Sequence, residues 1–241
     1  MTLRFGQPGD VSCDRVVTLA CDRRYSDNPS ENLAGHILQG THDDRTLAIK
    51  GLGALNVYNA LPLLTAVLSQ CARSLDDPSL PLELPGSSGY ALSVASEICQ
   101  TLARLDCKEA HRVLVETCTR KGNRYLRAAA ISATALESNW QDVQLLRRYL
   151  GYRGDALFRI AAANAIHECS GFRLQTYKPL ILPLLHDKSP CVVISAVEVL
   201  ALRWARDEEI PDLLLPLLSD HRFCKMYRTT VSKFVSGYFS D

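Results

Sequence analysis

Apolar positions along this chain recur at helical spacing. Tyr227, Thr230, Val231, Phe234, Val235 and Tyr238 form one continuous stripe at intervals of three and one. Phe158, Ala161, Ala162, Ala165, Ile166 and Cys169 form another. The small alanines on that stripe let neighbouring helices approach closely. No alternating strand pattern stands out, so the spacing predicts an all-α chain. Helices at about 11–25 and 30–39 form an N-terminal cap over 1–40. Pairs follow at about 44–56 with 59–74, 90–105 with 107–120, 124–138 with 140–151, 155–170 with 176–186, and 190–205 with 208–218. A last helix spans about 222–239. Punctuation agrees with this map: Asn28-Pro29-Ser30-Glu31 reads as a helix start, Asp155 as an N-cap, and Gly171 as a helix end.

Two segments repeat. Leu-Pro-Leu-Leu occurs at 61–64, 182–185 and 215–218, and the last two prolines, Pro183 and Pro216, are 33 residues apart. Ala-rich helices alternate with it. In them Arg127 and Arg159 lie 32 apart, Ile194 takes the equivalent slot 35 later, and Arg228 follows after another 34. A period in the thirties marks stacked helix pairs, which lack internal domain boundaries, so the chain reads as one domain over 1–241. The stretch 75–89 interrupts the array with three prolines, two glycines and three serines. It reads as an insertion between repeats or as a binding loop beside a groove.

The Ala-rich helix beginning near Arg, followed by Leu-Pro-Leu-Leu and then Asp187 or Asp220, resembles HEAT repeats. In short form it is similar to the HEAT-like repeats named after phycobilisome lyases. The resemblance covers about residues 40–240. It implies a right-handed α-solenoid of about five helix pairs with terminal caps, and a binding scaffold as the commonest role.

Charge and chemistry narrow the expectation. With 27 basic and 26 acidic residues the net charge is +1, so the bulk charge gives no general affinity for polyanions. The basic excess gathers in 120–159, where Arg120, Lys121, Arg124, Arg127, Arg147, Arg148, Arg153 and Arg159 face only Glu137, Asp142 and Asp155. Tyr125, Tyr149 and Tyr152 are interleaved, a pattern that suits nucleic acid, as in HEAT-like alkylpurine DNA glycosylases. The solvated-face reading competes with it. Deoxyhypusine hydroxylases, another HEAT-like group, hold two irons with repeated His-Glu pairs, whereas this chain has one, His167-Glu168. No metal site is predicted from the other histidines, of which His186 and His221 occupy equivalent turns and His42 precedes a helix that Asp44 can cap. The run Asp207-Glu208-Glu209 reads as a helix start stabilised by the dipole. Neither a phosphate loop, a dinucleotide fingerprint nor a nucleophile elbow is present, so neither cofactor nor catalytic residue is expected. Nine cysteines without a Cys-x-x-Cys pair read as reduced, mostly buried thiols, Cys99, Cys169 and Cys191 among them. No apolar run approaches membrane-spanning length, and the first ten residues lack the apolar core of a signal peptide, so a cytoplasmic location is expected.

The expected function is non-enzymatic. A concave groove engages a partner protein through Lys108, Arg112, Arg147, Arg148, Tyr149, Tyr152, Arg153 and Tyr177, with His111 beside them. A dedicated inhibitor, such as a bacterial immunity protein, fits the same shape. The alternatives are a nucleic-acid-binding protein and a bilin lyase or chaperone in which Arg147, Arg148 or Arg153 holds propionates. The helix at 222–239 reads as a seal on the last pair or as a docking surface.

Overall fold

Short polar side chains set the helix starts. Asn28 Oδ1 accepts a hydrogen bond from Ser30 N at 3.0 Å, with Pro29 in the first turn. Thr41 Oγ1 accepts from Asp44 N at 3.2 Å and donates to Asp44 Oδ2 at 2.8 Å, so Thr41, rather than Asp44, caps the helix that His42 opens. Asn123 Oδ1 accepts from Tyr125 N and Leu126 N, and Asp155 Oδ1 from Leu157 N. The computed structural model describes residues 11–21, 25–77, 79, 90–105, 107–134, 140–168, 174–204, 207 and 209–219. The expected helix at 222–239, nearly all of the 75–89 segment beyond Asp77, Gly171, Cys169 and Arg228 lie outside them.

All regular elements among the described residues are helical. They are α1 (Val11–Cys21), α2 (Pro29–Gln39), α3 (His42–Ala54), α4 (Leu61–Asp76), α5 (Ala91–Arg104), α6 (Lys108–Thr119) and α7 (Arg124–Ala133), then α8 (Trp140–Leu150), α9 (Ala156–Glu168), α10 (Leu174–Ile181), α11 (Pro190–Arg203) and α12 (Glu209–Leu214). None of them is long and apolar enough to cross a membrane. The chain divides into two compact units, Met1–Glu137 and Ser138–Asp241.

In the first unit α3 packs on α1, α2 and α5, and α5 packs on α4, α6 and α7. Leu33, Ile37, Ile49, Leu52, Leu64, Ile98 and Leu102 are fully buried between them. Gly51 lets α3 approach α1: a Cβ there would lie 2.8 Å from Val16 Cγ1. Thr101 Oγ1 donates to Ile49 O across the α3–α5 contact at 3.1 Å. In the second unit α9 packs on α8, α10 and α11, and α12 packs on α11. Its core holds Phe158, Ala162, Ile166, Val193, Ala196, Leu200 and Ile210.

The three Leu-Pro-Leu-Leu motifs do not occupy one structural position. The first opens α4, whereas Leu182–His186 and Leu215–Ser219 are 3-10 turns that follow α10 and α12. Proline has no N–H for an interior helical bond, so it fits both a first turn and a tightened last turn. A more regular register lies in the fourth residue of α3, α5, α7, α9 and α11. These are Arg45, Val94, Arg127, Arg159 and Val193, spaced 49, 33, 32 and 34 residues apart. The long first interval exceeds the others by about the length of the 75–89 segment. The start of α11 at Pro190 puts Val193, not Ile194, in the slot.

The arginines of this register serve the preceding helix. Arg45 is 0% exposed; its Nε donates to Ile37 O at 2.6 Å and Nη2 to Gly40 O at 3.1 Å, at the end of α2. Arg127 Nε donates to Cys118 O near the end of α6 at 3.0 Å. Arg159 Nη1 donates to Tyr152 O, just past α8, at 2.7 Å. The last carbonyls of a helix have no intrahelical donor and carry its negative dipole end, so a buried guanidinium satisfies both needs. Val94 and Val193 fill the slot as buried apolar side chains.

Asp76 ends α4 and joins it to the α6–α7 turn. Its Oδ1 accepts from Asn123 N at 2.6 Å and its Oδ2 from Arg120 Nη2 at 2.5 Å, while Asn123 Nδ2 donates to Leu75 O at 3.2 Å. Gly122 has φ +137°, and a Cβ there would sit 2.6 Å from Asp76 Oδ1, so the turn needs glycine for its backbone and for its clearance. At the start of α5, the ring of Tyr90 stacks on His42 at 4.2 Å.

Arg45→Ala is expected to lower stability by about 2–4 kcal/mol, because two carbonyls lose their buried donor. Arg45→Lys recovers only part of the loss, since one ammonium cannot reproduce the planar fork. Urea unfolding of the three proteins reads the difference, and equal midpoints would refute it.

Glu97 on α5 is 9% exposed and lies 3.5 Å from Lys50 Nζ on α3. Burial pushes its carboxyl above the ordinary glutamate value of 4.5, with Lys50 and Arg104 opposing. A raised folded pKa favours the neutral acid, so its stabilising contribution is present at low pH and lost as pH rises through the folded value. Glu97→Gln is therefore expected to be more stable than the parent near neutrality, and the advantage shrinks as pH falls from the raised folded value to the ordinary glutamate value. Unfolding midpoints at about pH 7 and about pH 4 check this.

Candidate functional site

Two chain segments of the second unit frame an open cavity of about 580 Å³. One is the end of α8 with the turn leading to α9; the other runs from the 3-10 turn after α10 to the start of α11. Leu150, Pro183 and Leu184 give it apolar walls, and Gly151 leaves part of the rim to bare backbone. Arg153, Arg159, His186, Asp187 and Lys188 supply its polar lining.

The floor is fixed by an ion pair. Arg159 Nε lies 2.7 Å from Asp187 Oδ2, and Nη2 donates to Oδ1 at 2.9 Å. Both side chains are 12% exposed, so this ion pair, with its one hydrogen bond from Nη2, is held largely out of water. Asp187 Oδ1 also accepts from Ser189 N at 2.8 Å, which orients the carboxylate from the start of α11. Local sequence places the partners: buried Leu184 and Leu185 anchor the 3-10 turn, and Asp187 follows it directly. Phe158, buried one residue before Arg159, packs against Tyr149 at 5.9 Å and Tyr152 at 5.6 Å.

With Arg159 neutralised by Asp187, Arg153 and Lys188 supply the remaining positive charge. Both are exposed, and among the described residues neither is in an ion pair. Among the described lining residues, the three cations Arg153, Arg159 and Lys188 exceed the one anion, Asp187, by two charges. Such a surface attracts carboxylates and other anions, and its apolar walls accept an aliphatic group beside them.

The predicted contact residues fall in both units. Lys108 and Arg112 are exposed on α6 of the first unit, where Arg112 Nε lies 3.7 Å from Glu116 Oε1 one turn away. Arg147 and Arg148 are exposed in the last turn of α8, Tyr152 is 40% exposed, and Arg153 lines the cavity. Three expectations need correction. Tyr149 at 2% exposure and Tyr177 at 0% belong to the core and offer no ring to a partner. His111 is 7% exposed, and burial pulls its pKa below the ordinary value. The signal for Tyr149 was in the sequence: with Val143, Leu146 and Leu150 it completes the apolar stripe of α8. Tyr177 and Ile181 make a similar pair on α10.

Cysteine placement is mixed. Cys71, Cys99 and Cys118 are buried, and desolvation pushes Cys71 and Cys99 up to about 12. Cys191, expected inside, is exposed. His167 and Glu168 meet at 3.2 Å on the partly exposed end of α9. Among the described residues, no three His, Cys, Asp or Glu side chains gather as a metal site requires. Asp207 accepts a hydrogen bond from Lys178 Nζ at 2.5 Å, which holds its carboxyl below the usual range; its Oδ1 accepts from Glu209 N at the start of α12.

The described residues thus define an all-helical protein whose second unit carries an open cationic cavity. No protein-family model, curated protein or solved structure matches the chain.

Asp187→Asn is expected to cost about 2–4 kcal/mol, because Arg159 keeps its charge in a largely dry site without its counter-ion. Removing both partners, as Arg159→Leu with Asp187→Asn, costs less than the two single changes summed. A double-mutant cycle by urea unfolding measures the coupling, and simple additivity would show the pair to be inert.

Proposed function

We propose that the protein is a non-enzymatic scaffold or adaptor built as a right-handed HEAT-like α-solenoid of about five helix pairs. Its surface engages a partner protein and holds, blocks or positions it. Two features support the repeat reading: first helices pack on first helices within each unit, as α1, α3, α5 and α7 do in one and α9 and α11 in the other, and the fourth-residue register has a period of 32–34 residues from Val94 to Val193, after a first interval of 49. The observation that carries the binding reading is the cavity lined by Arg153 and Lys188, whose charges are not engaged within the described residues. An inhibitor of a toxic partner, of the bacterial immunity type, is one form such a scaffold takes.

Exposed Arg147 and Arg148 favour nucleic acid as the second reading. Burial of Tyr149 weakens it by removing a stacking ring from the same turn. A bilin-handling role draws on the same arginines and on no further feature.

The test is capture by tagged protein from nuclease-treated lysate of the native organism, with bound proteins identified by mass spectrometry. The expected result is one protein partner in stoichiometric amount. Material recovered only without nuclease, with binding that falls steeply as salt rises, would replace the scaffold with nucleic-acid binding. An empty column under both conditions would refute both.

A further inference from the structure

We propose that the cavity of the second unit receives an acidic segment of the partner, with a glutamate or aspartate carboxylate between Arg153 and Lys188 and a neighbouring aliphatic side chain against Leu150 and Leu184. This rests on the scaffold reading and adds the chemistry of what is recognised.

Size comes first. About 580 Å³ lies within the range that holds a compact ligand of a few side chains, and the cavity is open to solvent, so a continuing chain can lie across it. Charge comes second. Among the described lining residues Asp187 is the one acidic group, and it is held by Arg159 through an ion pair and a hydrogen bond rather than by Arg153 or Lys188. Rigidity comes third. The Arg159–Asp187 pair and the buried Leu184 hold the floor, so an incoming carboxylate meets a surface already formed and orders chiefly two exposed side chains.

The same lining disfavours a nucleic-acid strand. Among its described residues there is no Tyr, Phe or Trp, so these offer bases no platform of that kind. Two engaged cations release few counter-ions, which leaves phosphate binding weak at physiological salt. A carboxylate beside an aliphatic group uses both halves of the lining, whereas a phosphate backbone uses one.

The experiment uses the full chain and a fluorescein-labelled peptide alternating glutamate and leucine, with a glutamine–leucine peptide as control. Fluorescence anisotropy reads binding at physiological salt. The glutamate peptide is expected to bind the parent protein, and Arg153→Glu with Lys188→Glu to weaken it at least about tenfold. Arg73→Glu, exposed on α4 of the first unit, is expected to leave it unchanged. Circular dichroism and urea unfolding confirm that each variant is folded; if the charge reversal is not, Arg153→Gln with Lys188→Gln takes its place. The proposal falls if the glutamate peptide binds no better than the glutamine peptide, or if the double variant binds it equally well. It also falls if a single-stranded oligonucleotide binds more tightly than the peptide and is lost in the same variant. The two readings fail separately. A partner captured equally well by the double variant overturns the cavity assignment and leaves the scaffold standing. Site-dependent peptide binding with no captured partner leaves the cavity and overturns the scaffold.

Discussion

The guanidinium groups at the fourth position of successive first helices answer the main electrostatic problem of a chain made of short helices. Each helix ends in carbonyls that have lost their donors, and packing helices side by side takes those ends out of water. Arg45 and Arg127 answer for α2 and α6 with direct hydrogen bonds, and Arg159 does so just past α8. The device couples neighbours. A first helix cannot shift along its axis without breaking the cap on the helix before it, so register between helices is fixed by polar contacts as well as by the apolar core. Where valine replaces arginine, as at Val94 and Val193, the slot contributes packing alone.

The cavity follows from this arrangement. Arg159 is a register arginine first: one arm caps the turn after α8 and the others bind Asp187. That double duty draws two turns of the second unit together and leaves the space between them lined by whatever those turns carry. They carry Arg153 and Lys188. A structural contact thus creates the concavity, and the residues beside it in sequence decide its charge.

Much of the helical content was legible in the sequence, for a physical reason. Apolar spacing of three and four, capping side chains at Asn28 and Asp155, and a proline in a first turn are local signals, and local signals place helices. What needed neighbours was less legible. Tyrosine reads as a surface anchor because it is amphipathic, yet Tyr149 and Tyr177 are core residues, and their periodicity with Leu146 and Ile181 was the better guide. Leu-Pro-Leu-Leu looked like one repeated element, but proline tolerates both a helix start and a 3-10 end, so one motif marks two positions. Of the cavity, Arg153 was singled out by the basic excess. Lys188 and the apolar wall were not, because His186, Asp187 and Lys188 read only as a turn until the fold set that turn opposite the end of α8.

The clasp at Asp76 has a consequence for how the chain tolerates change. The last turn of α4 is tied to residues more than forty positions later, through Arg120 and Asn123, and the first residue before α5 is stacked on His42. Both ends of the interval between residues 77 and 90 are therefore anchored by contacts that do not depend on what lies between. Closing a longer chain across two fixed points costs only a logarithm of its length, about 0.6 kcal/mol per doubling. The interval between residues 77 and 90 is thus a place where sequence can lengthen, shorten or be exchanged for a foreign peptide with little penalty to either flanking helix. It is the natural point at which evolution, or an engineer, can graft a new specificity onto the first unit.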